Sequence, residues 1–442
     1  MRKRIQIYGR VWAYLVIICG GFLAFEFFSP VTLPSLYEEI LLQQANERIL
    51  AIRRGTITLD FGVANAGKTV YINQHSHAFF FGAGAYHYNT YQNETLDQLF
   101  TEKFSTLMNY GSLLFSWDYY EPYPNVYPHI AKLHNITNWL SSFNATAYGV
   151  PLAWFYDVPS WVSRDNLTNA TLTRIQRVIE EFPEINIWCL ANELLHKPDT
   201  WFTGMSGVQI WEMLLQYARV IRPECTYILN DYDTVGPGDP AFTVGTTTNR
   251  FYQLVDQIVR DGFPPDALGF QFHSSFEWHP LQDIIDTFEG FGRFRIPIHI
   301  TEFIPVSKGI YSTGTRKGPI TETSQAEWAV RAYTMLFSHP AISCISWVDF
   351  AKTRSGVWLP HNNGYMMDES GRLLPVYTAL YDLIHRQWNS TTTTTLDGEG
   401  KVVFTGFYGN YTASVMDGPE IAFSIVDNRA VNERPWRIAD IQ

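Results

Sequence analysis

Eight short apolar runs, each followed by a longer segment, constrain this chain more than any other feature. They read HAFFFGAGA, SLLFSW, YGVPLAW, INIWCLAN, TYILND, ALGFQFH, PIHITE and CISWVD, from His77 to Asp349. LTRIQRVIEEFP and SQAEWAVRAYTMLFSHP are two of the intervening segments, and both have helical character. Buried-type strands alternating with helices belong to a parallel sheet covered on both faces. Eight such units predict a (β/α)8 TIM barrel, an α/β fold. With 442 residues and 46% hydrophobic content, the chain has the apolar material for a large core.

Active sites of such barrels gather at the C-terminal ends of the strands. The seventh run climbs through IPIHI to Glu302, and the fourth is followed by Glu193. Strands four and seven face each other across the mouth. Two carboxylates so opposed suit glycosidic bond cleavage: one protonates the leaving oxygen, and the other attacks the anomeric carbon or activates water. Asn192, Asp231, Gln271, His273 and Asp349 also end runs. A histidine beside the nucleophile can orient it and tune its charge. Plainer readings stand beside these: Asn192 or Asp231 as helix caps, His273 as a core histidine, and Glu302 as half of an ion pair.

At these residues the chain resembles glycoside hydrolase family 10, the β-1,4-xylanase family, over His77 to Trp388. FGAGA (81–85) looks like the family's first strand, and WDYYEP (117–122) is similar to its Trp-Asp-x-x-Glu-Pro element. GVPLAWFYDVPSWV (149–162) follows the third-strand pattern, and IWCLANELLH (187–196) resembles the fourth. LNDYD (229–233), QFH (271–273) and ITEF (300–303) resemble the fifth, sixth and seventh. The resemblance implies Glu193 as acid/base and Glu302 as nucleophile. It implies Asn192 on the sugar 2-hydroxyl, with Gln271 and His273 supporting the nucleophile and the adjacent sugar. Trp154, Trp347 and Trp358 would wall the subsite beside the cleaved bond. A retaining reaction follows, with carboxyl groups ~5–5.5 Å apart. No metal or organic cofactor is implied. The substrate would be xylan or a related β-1,4-linked polysaccharide or oligosaccharide, cut internally.

The departures bear on the substrate. Where the family places Asn-x-x-Lys before the second-strand tryptophan, this chain has Leu113 and Ser116. Val150 and Phe155 replace two third-strand histidines, and Asp157 stands where Gln is common. A lost neutral hydrogen bond to a sugar hydroxyl costs roughly 0.5–1.5 kcal/mol, and a charged one more. Such a site binds ordinary xylan poorly unless Tyr119, Tyr120, Tyr156 or another loop residue compensates. Two alternatives are therefore kept: a non-catalytic carbohydrate-binding barrel, and a β-glucanase-type hydrolase with the same catalytic pair.

The flanks carry separate information. Arg2, Lys3, Arg4 and Arg10 precede an apolar run over residues 11–25. This reads as a signal anchor with a cytoplasmic basic end, or as a cleaved signal peptide. Either places the rest outside the cytosol, held to a membrane by the N-terminal segment or secreted. Sequons at Asn93, Asn135, Asn144, Asn166, Asn169, Asn389 and Asn410 agree with a glycoprotein. A net charge of −11 argues against a nucleic-acid partner. Cys189, Cys225 and Cys344 lie in or beside strand-like runs and read as buried free thiols. A helix with Ser35 and Glu38 at capping-box spacing and a β-hairpin turning at residues 65–67 fill 29–76. The chain thus divides into 1–28 (the basic end and apolar segment), 29–76, the barrel at 77–388, and 389–442. The last holds a threonine-rich linker and a C-terminal β segment, expected to pack with the hairpin as a small β-module.

Overall fold

The computed structural model describes residues 33–197, 202, 204–273, 277–352 and 363–441. Eight parallel strands form the barrel. They are β1 (Phe80–Gly84), β2 (Tyr110–Leu114), β3 (Thr146–Val150), β4 (Ile187–Asn192), β5 (Thr226–Tyr232), β6 (Ala267–Gln271), β7 (Ile298–Phe303) and β8 (Ile342–Trp347). Neighbours pair in chain order, and β8 closes on β1 with Cys344 opposite Phe80 and Trp347 opposite Ala83. The surrounding helices are α1 (Glu94–Leu107), α2 (Ile130–Ser142), α3 (Leu167–Glu181), α4 (Gly207–Ile221), α5 (Thr247–Arg260), α6 (Leu281–Phe291), α7 (Glu322–Ser338) and α8 (Pro375–Asp382).

Strand side chains alternate between two environments. Tyr110, Tyr148, Cys189, Ile228, Ala267 and Cys344 form one cluster, with Phe80 against it, inside the barrel. Their neighbours Phe81, Trp188, Leu229, Leu268 and Ile345 pack under the helices. Both sets are apolar, which is why the runs read as continuous rather than alternating. Two glycines set the fit of the interior. A Cβ on Gly82 would lie 2.5 Å from the Tyr110 ring, and one on Gly269 would lie 2.3 Å from Asn230 Oδ1. The three described cysteines are buried and free.

The segment before the barrel is fastened to it by charge. Its helix, Leu33–Ile52, begins ahead of Ser35, the expected cap. Glu38 instead reaches Arg331 on α7 at 2.8 Å. Arg53 follows the helix and donates to three carbonyls: Phe337 at 2.8 Å, and His339 and Ile342 at 2.7 Å each. Its guanidinium lies over the Phe79 and Phe337 rings, 4.9 and 5.0 Å from their centroids. These carbonyls end α7 and open β8, where helix-end acceptors need donors.

The expected hairpin is absent. Arg54–Asp60 pairs antiparallel with Lys401–Phe407, and Thr69–His77 with Gly409–Val415. The two strands are joined to the C-terminal segment rather than to each other. A short helical turn at Val63–Asn65, entered through Gly62 at φ 80°, separates them instead of a tight hairpin turn. The threonine-rich stretch is also not a linker: Thr392–Thr395 is a strand paired with residues 69–72. β-branched threonines fit a pleated strand. Leu59, Val70, Ile72, Phe404, Tyr411 and Ile425 share a separate small core there. The apolar segment read as anchor or signal peptide lies outside the described residues. Among the described residues, no helix is long and apolar enough to cross a membrane.

Candidate active site

The chain brings Glu193 to the mouth by a local irregularity. The pairing of β4 with β5 shifts register between Cys189 and Ala191. Glu193 then adopts a left-handed conformation at φ 60°, its amide donating to Asn230 O at 2.8 Å. A bulge re-aims the residues beyond it. A non-glycine residue in this region costs of order 1–3 kcal/mol and persists where surrounding contacts enforce it. Here those contacts are with the carboxylate. Trp154 Nε1 donates to Glu193 Oε2 at 2.7 Å, while Asn192 Nδ2 and Gln271 Nε2 each donate to Oε1 at 3.0 Å. Trp154 gets there because Ala153–Trp154 pairs with β4 at Ala191 and Asn192.

Burial is the main cause that pushes the Glu193 carboxyl up to about 7. The Gln271 and Trp154 donors counter it, while the charges of Glu302 and Asp231 add to it. A carboxyl titrating there is protonated for a substantial fraction of the time near neutral pH, as a general acid requires. Glu302, near the end of β7, pairs with His273, whose Nε2 lies 3.0 Å from Glu302 Oε2. Burial draws the His273 imidazole down, but the Glu302 hydrogen bond and charge outweigh it and the net shift is upward.

The other predicted residues fall in different places. Gln271, expected with His273 to support the nucleophile and the adjacent sugar, donates to Glu193 and sits 3.4 Å from Asn192 Oδ1. Trp347 has no exposed surface; its indole donates to Gly364 O at 2.6 Å and its ring meets Phe303 edge-on. Trp358 lies outside the described residues. Asp231 is fully buried and accepts from Leu195 N at 2.9 Å, with His196 Nδ1 2.7 Å away. His196 stacks on Tyr232 with ring centroids 3.7 Å apart.

Leu113 and Ser116 are 0% and 1% exposed, so neither presents a surface to a ligand. Phe155 is buried against Phe202, and Val150 packs against the interior cluster. Below them runs Arg174 of α3. It is buried, bonded to the carbonyls of Phe115 and Pro151, and set against the Trp117 and Tyr120 rings. Tyr120 is buried too, whereas Tyr156 is 56% exposed, with its hydroxyl on His196 O. Tyr119 stacks on His129 at 3.9 Å.

Sequence reasoning missed Asn230, Thr301, His196 and Arg174. Asn230 and Thr301 carried a usable signal: they are polar residues on the inward alternation of β5 and β7.

Residues 71–383 match the family model described as glycosyl hydrolase family 10. Endo-1,4-β-xylanase B of Thermotoga neapolitana is 23% identical over 256 residues, covering 54% of this chain and 70% of that protein. The anti-sigma-I factor RsgI6 of Acetivibrio thermocellus is 24% identical over 269 residues, 58% of this chain and 31% of that protein. Among solved structures, xylanase 10B from Thermotoga petrophila in complex with xylobiose superposes with a TM-score of 0.58 at 19% identity. It covers 70% of this chain and 95% of the xylanase.

Proposed function

Because this chain belongs to glycosyl hydrolase family 10, a family of glycoside hydrolases resembling endo-1,4-β-xylanases, we propose that it cleaves xylan or a related β-1,4-linked glycan internally, with retention of configuration. Glu193 protonates the glycosidic oxygen while Glu302 attacks the anomeric carbon. Glu193, then a carboxylate, draws a proton from the water that releases the glycosyl intermediate from Glu302. His273, with Nε2 3.0 Å from Glu302 Oε2, holds Glu302 in place for attack. The observation that carries this reading is the contrast between the two carboxyls. Glu193 is raised to about 7, while Glu302 is paired with His273. Environments that differ in this way assign the acid and the nucleophile.

A test is hydrolysis of xylan, arabinoxylan, mixed-linkage glucan and soluble cellulose derivatives, with Glu302→Gln as control and products read by mass spectrometry. Pentose oligomers from wild type alone support the xylanase reading. Hexose oligomers keep the mechanism and move the substrate to a glucan. Proton NMR of the first-formed anomer tests retention.

A second reading is favoured by one observation: the positions of the missing polar contacts are filled by buried Leu113, Ser116 and Phe155. A barrel that binds glycans without turning them over follows if wild type matches Glu302→Gln on every glycan. We also place the protein's action outside the cytosol. The basic-then-apolar N-terminus supports this, and so does the exposure of Asn93, Asn135, Asn144, Asn166, Asn169 and Asn410. Endoglycosidase treatment of protein expressed in a glycosylating host tests it by a mass shift.

A further inference from the structure

A line of hydrogen bonds runs beneath the two carboxylates, from the residue preceding Glu302 to Glu193. Thr301 Oγ1 donates to Asn230 Oδ1 at 2.6 Å, and Asn230 Nδ2 donates to Asn192 Oδ1 at 2.7 Å. Asn192 Nδ2 donates to Glu193 Oε1 at 3.0 Å. The line crosses from β7 through β5 to β4. Asn230 has no exposed surface, and Asn192 and Thr301 are 4% exposed each, so bulk water does not compete for these groups. The absence of a side chain at Gly269 leaves the space that the Asn230 carboxamide fills.

The order of donors is dictated from one end. An amide has one accepting and one donating side, and a carboxylate only accepts. If Asn192 faces Glu193 with its NH2, its oxygen must receive the Asn230 NH2. The Asn230 oxygen is then left for a donor, and the Thr301 hydroxyl is that donor. Resting on the proposed hydrolase reading, we infer that Thr301 and Asn230 are positioning residues that hold Asn192 with its NH2 toward Glu193. They do so through Asn192 and touch no substrate. With the relay intact, Glu193 receives donors from Trp154, Gln271 and Asn192. Gln271 Nε2 at 3.4 Å and Cys189 Sγ at 3.7 Å also face the Asn192 oxygen, so loss of the Thr301 hydroxyl loosens the Asn230 link and weakens the Asn192 donation to the carboxylate rather than reversing it.

The charged and titratable groups facing Glu193 come from four strands. They are Asp231 and Tyr232 from β5, Glu302 from β7, His273 beyond β6, and Cys189 below it on β4. Thr301→Val changes none of them and nearly preserves side-chain shape. The relay therefore makes a prediction that a packing role does not. Donors favour the carboxylate, so weakening one raises the pH at which Glu193 loses its proton.

The test is a carbon-13 NMR titration of the full protein labelled at the glutamate carboxyl, with the Glu193 resonance assigned by its loss in Glu193→Gln. In Thr301→Val the midpoint should rise by roughly half to one pH unit, the scale of one hydrogen bond to a carboxylate. Thr301→Ser should return it to the wild-type value. If Thr301→Val does not fold, Thr301→Ala, which also lacks the hydroxyl, takes its place with the same expectation. A folded variant whose midpoint stays at the wild-type value overturns the relay. The readout needs no turnover, so it fails independently of the hydrolase reading, which fails only on the glycan panel. Where wild type is active, the basic limb of kcat/KM should move with the midpoint.

Discussion

Trp154→Phe is the most direct probe of how Glu193 is tuned. The substitution keeps an aromatic ring and removes the indole N–H that lies 2.7 Å from Glu193 Oε2. Hydrogen bonds to charged groups contribute ~1.5–3 kcal/mol. Both residues are partly exposed, so the lower end applies, and ~1.5 kcal/mol corresponds to about one pKa unit. The donor favours the ionised form, so its loss raises the Glu193 carboxyl from about 7 toward about 8. In the proposed mechanism the first step needs Glu193 protonated, so the basic limb of kcat/KM against pH should move up by about one unit. The assay is initial rate against pH on an unactivated oligosaccharide, whose poor leaving group makes protonation limiting. A basic limb that stays in place or moves to lower pH would refute the argument that this indole sets the acid's proton affinity.

Other measurements follow from the same structure. Glu193 has a folded pKa of about 7, above the ordinary glutamate value of ~4.3. Its stabilising effect is therefore present below ~4.3 and lost as pH rises through about 7. Glu193→Gln should be more stable than wild type at pH 8, by ~1 kcal/mol or more after discounting for solvent screening. Urea unfolding at several pH values should show that gap closing toward pH ~4. Arg53→Ala strips the donor from three buried carbonyls and should cost at least ~3 kcal/mol, read as a lowered unfolding midpoint. Leu113→Asn, the simplest attempt to restore a family contact, places an amide where no surface is exposed. It should destabilise by ~2–4 kcal/mol without improving KM for xylo-oligosaccharides.

Much of the barrel was legible because its information is local. Each strand is a short run whose two faces are both buried, and each intervening segment has helical character. Glu193 and Glu302 were legible for the same reason: they stand at the ends of apolar runs, where a barrel exposes its residues. The strands at Arg54–Asp60 and Thr69–His77 misled because adjacent strands usually pair with each other. Here the partners lie more than 300 residues away, at Lys401–Phe407 and Gly409–Val415. Threonines 392–395 looked like a low-complexity spacer because their partner strand is equally distant. The Gln271 bond to Glu193 was not legible because strand-end position says which residues reach the mouth, not which acceptor an amide turns toward.

The sequence by itself determined the eight barrel strands and put Glu193 and Glu302 at the ends of the fourth and seventh. Those follow from short runs that are apolar on both faces and alternate with helical segments. Only the tertiary structure decided what each of those groups meets. The bulge and left-handed backbone at Glu193, the indole and two amides around its carboxylate, and the Thr301–Asn230–Asn192 line depend on residues from separate strands. So does the proton affinity of Glu193. Burial, helped by the charges of Glu302 and Asp231, moves the carboxyl up to about 7 against the pull of the Gln271 and Trp154 donors, and all of these are properties of the closed barrel rather than of any stretch of chain.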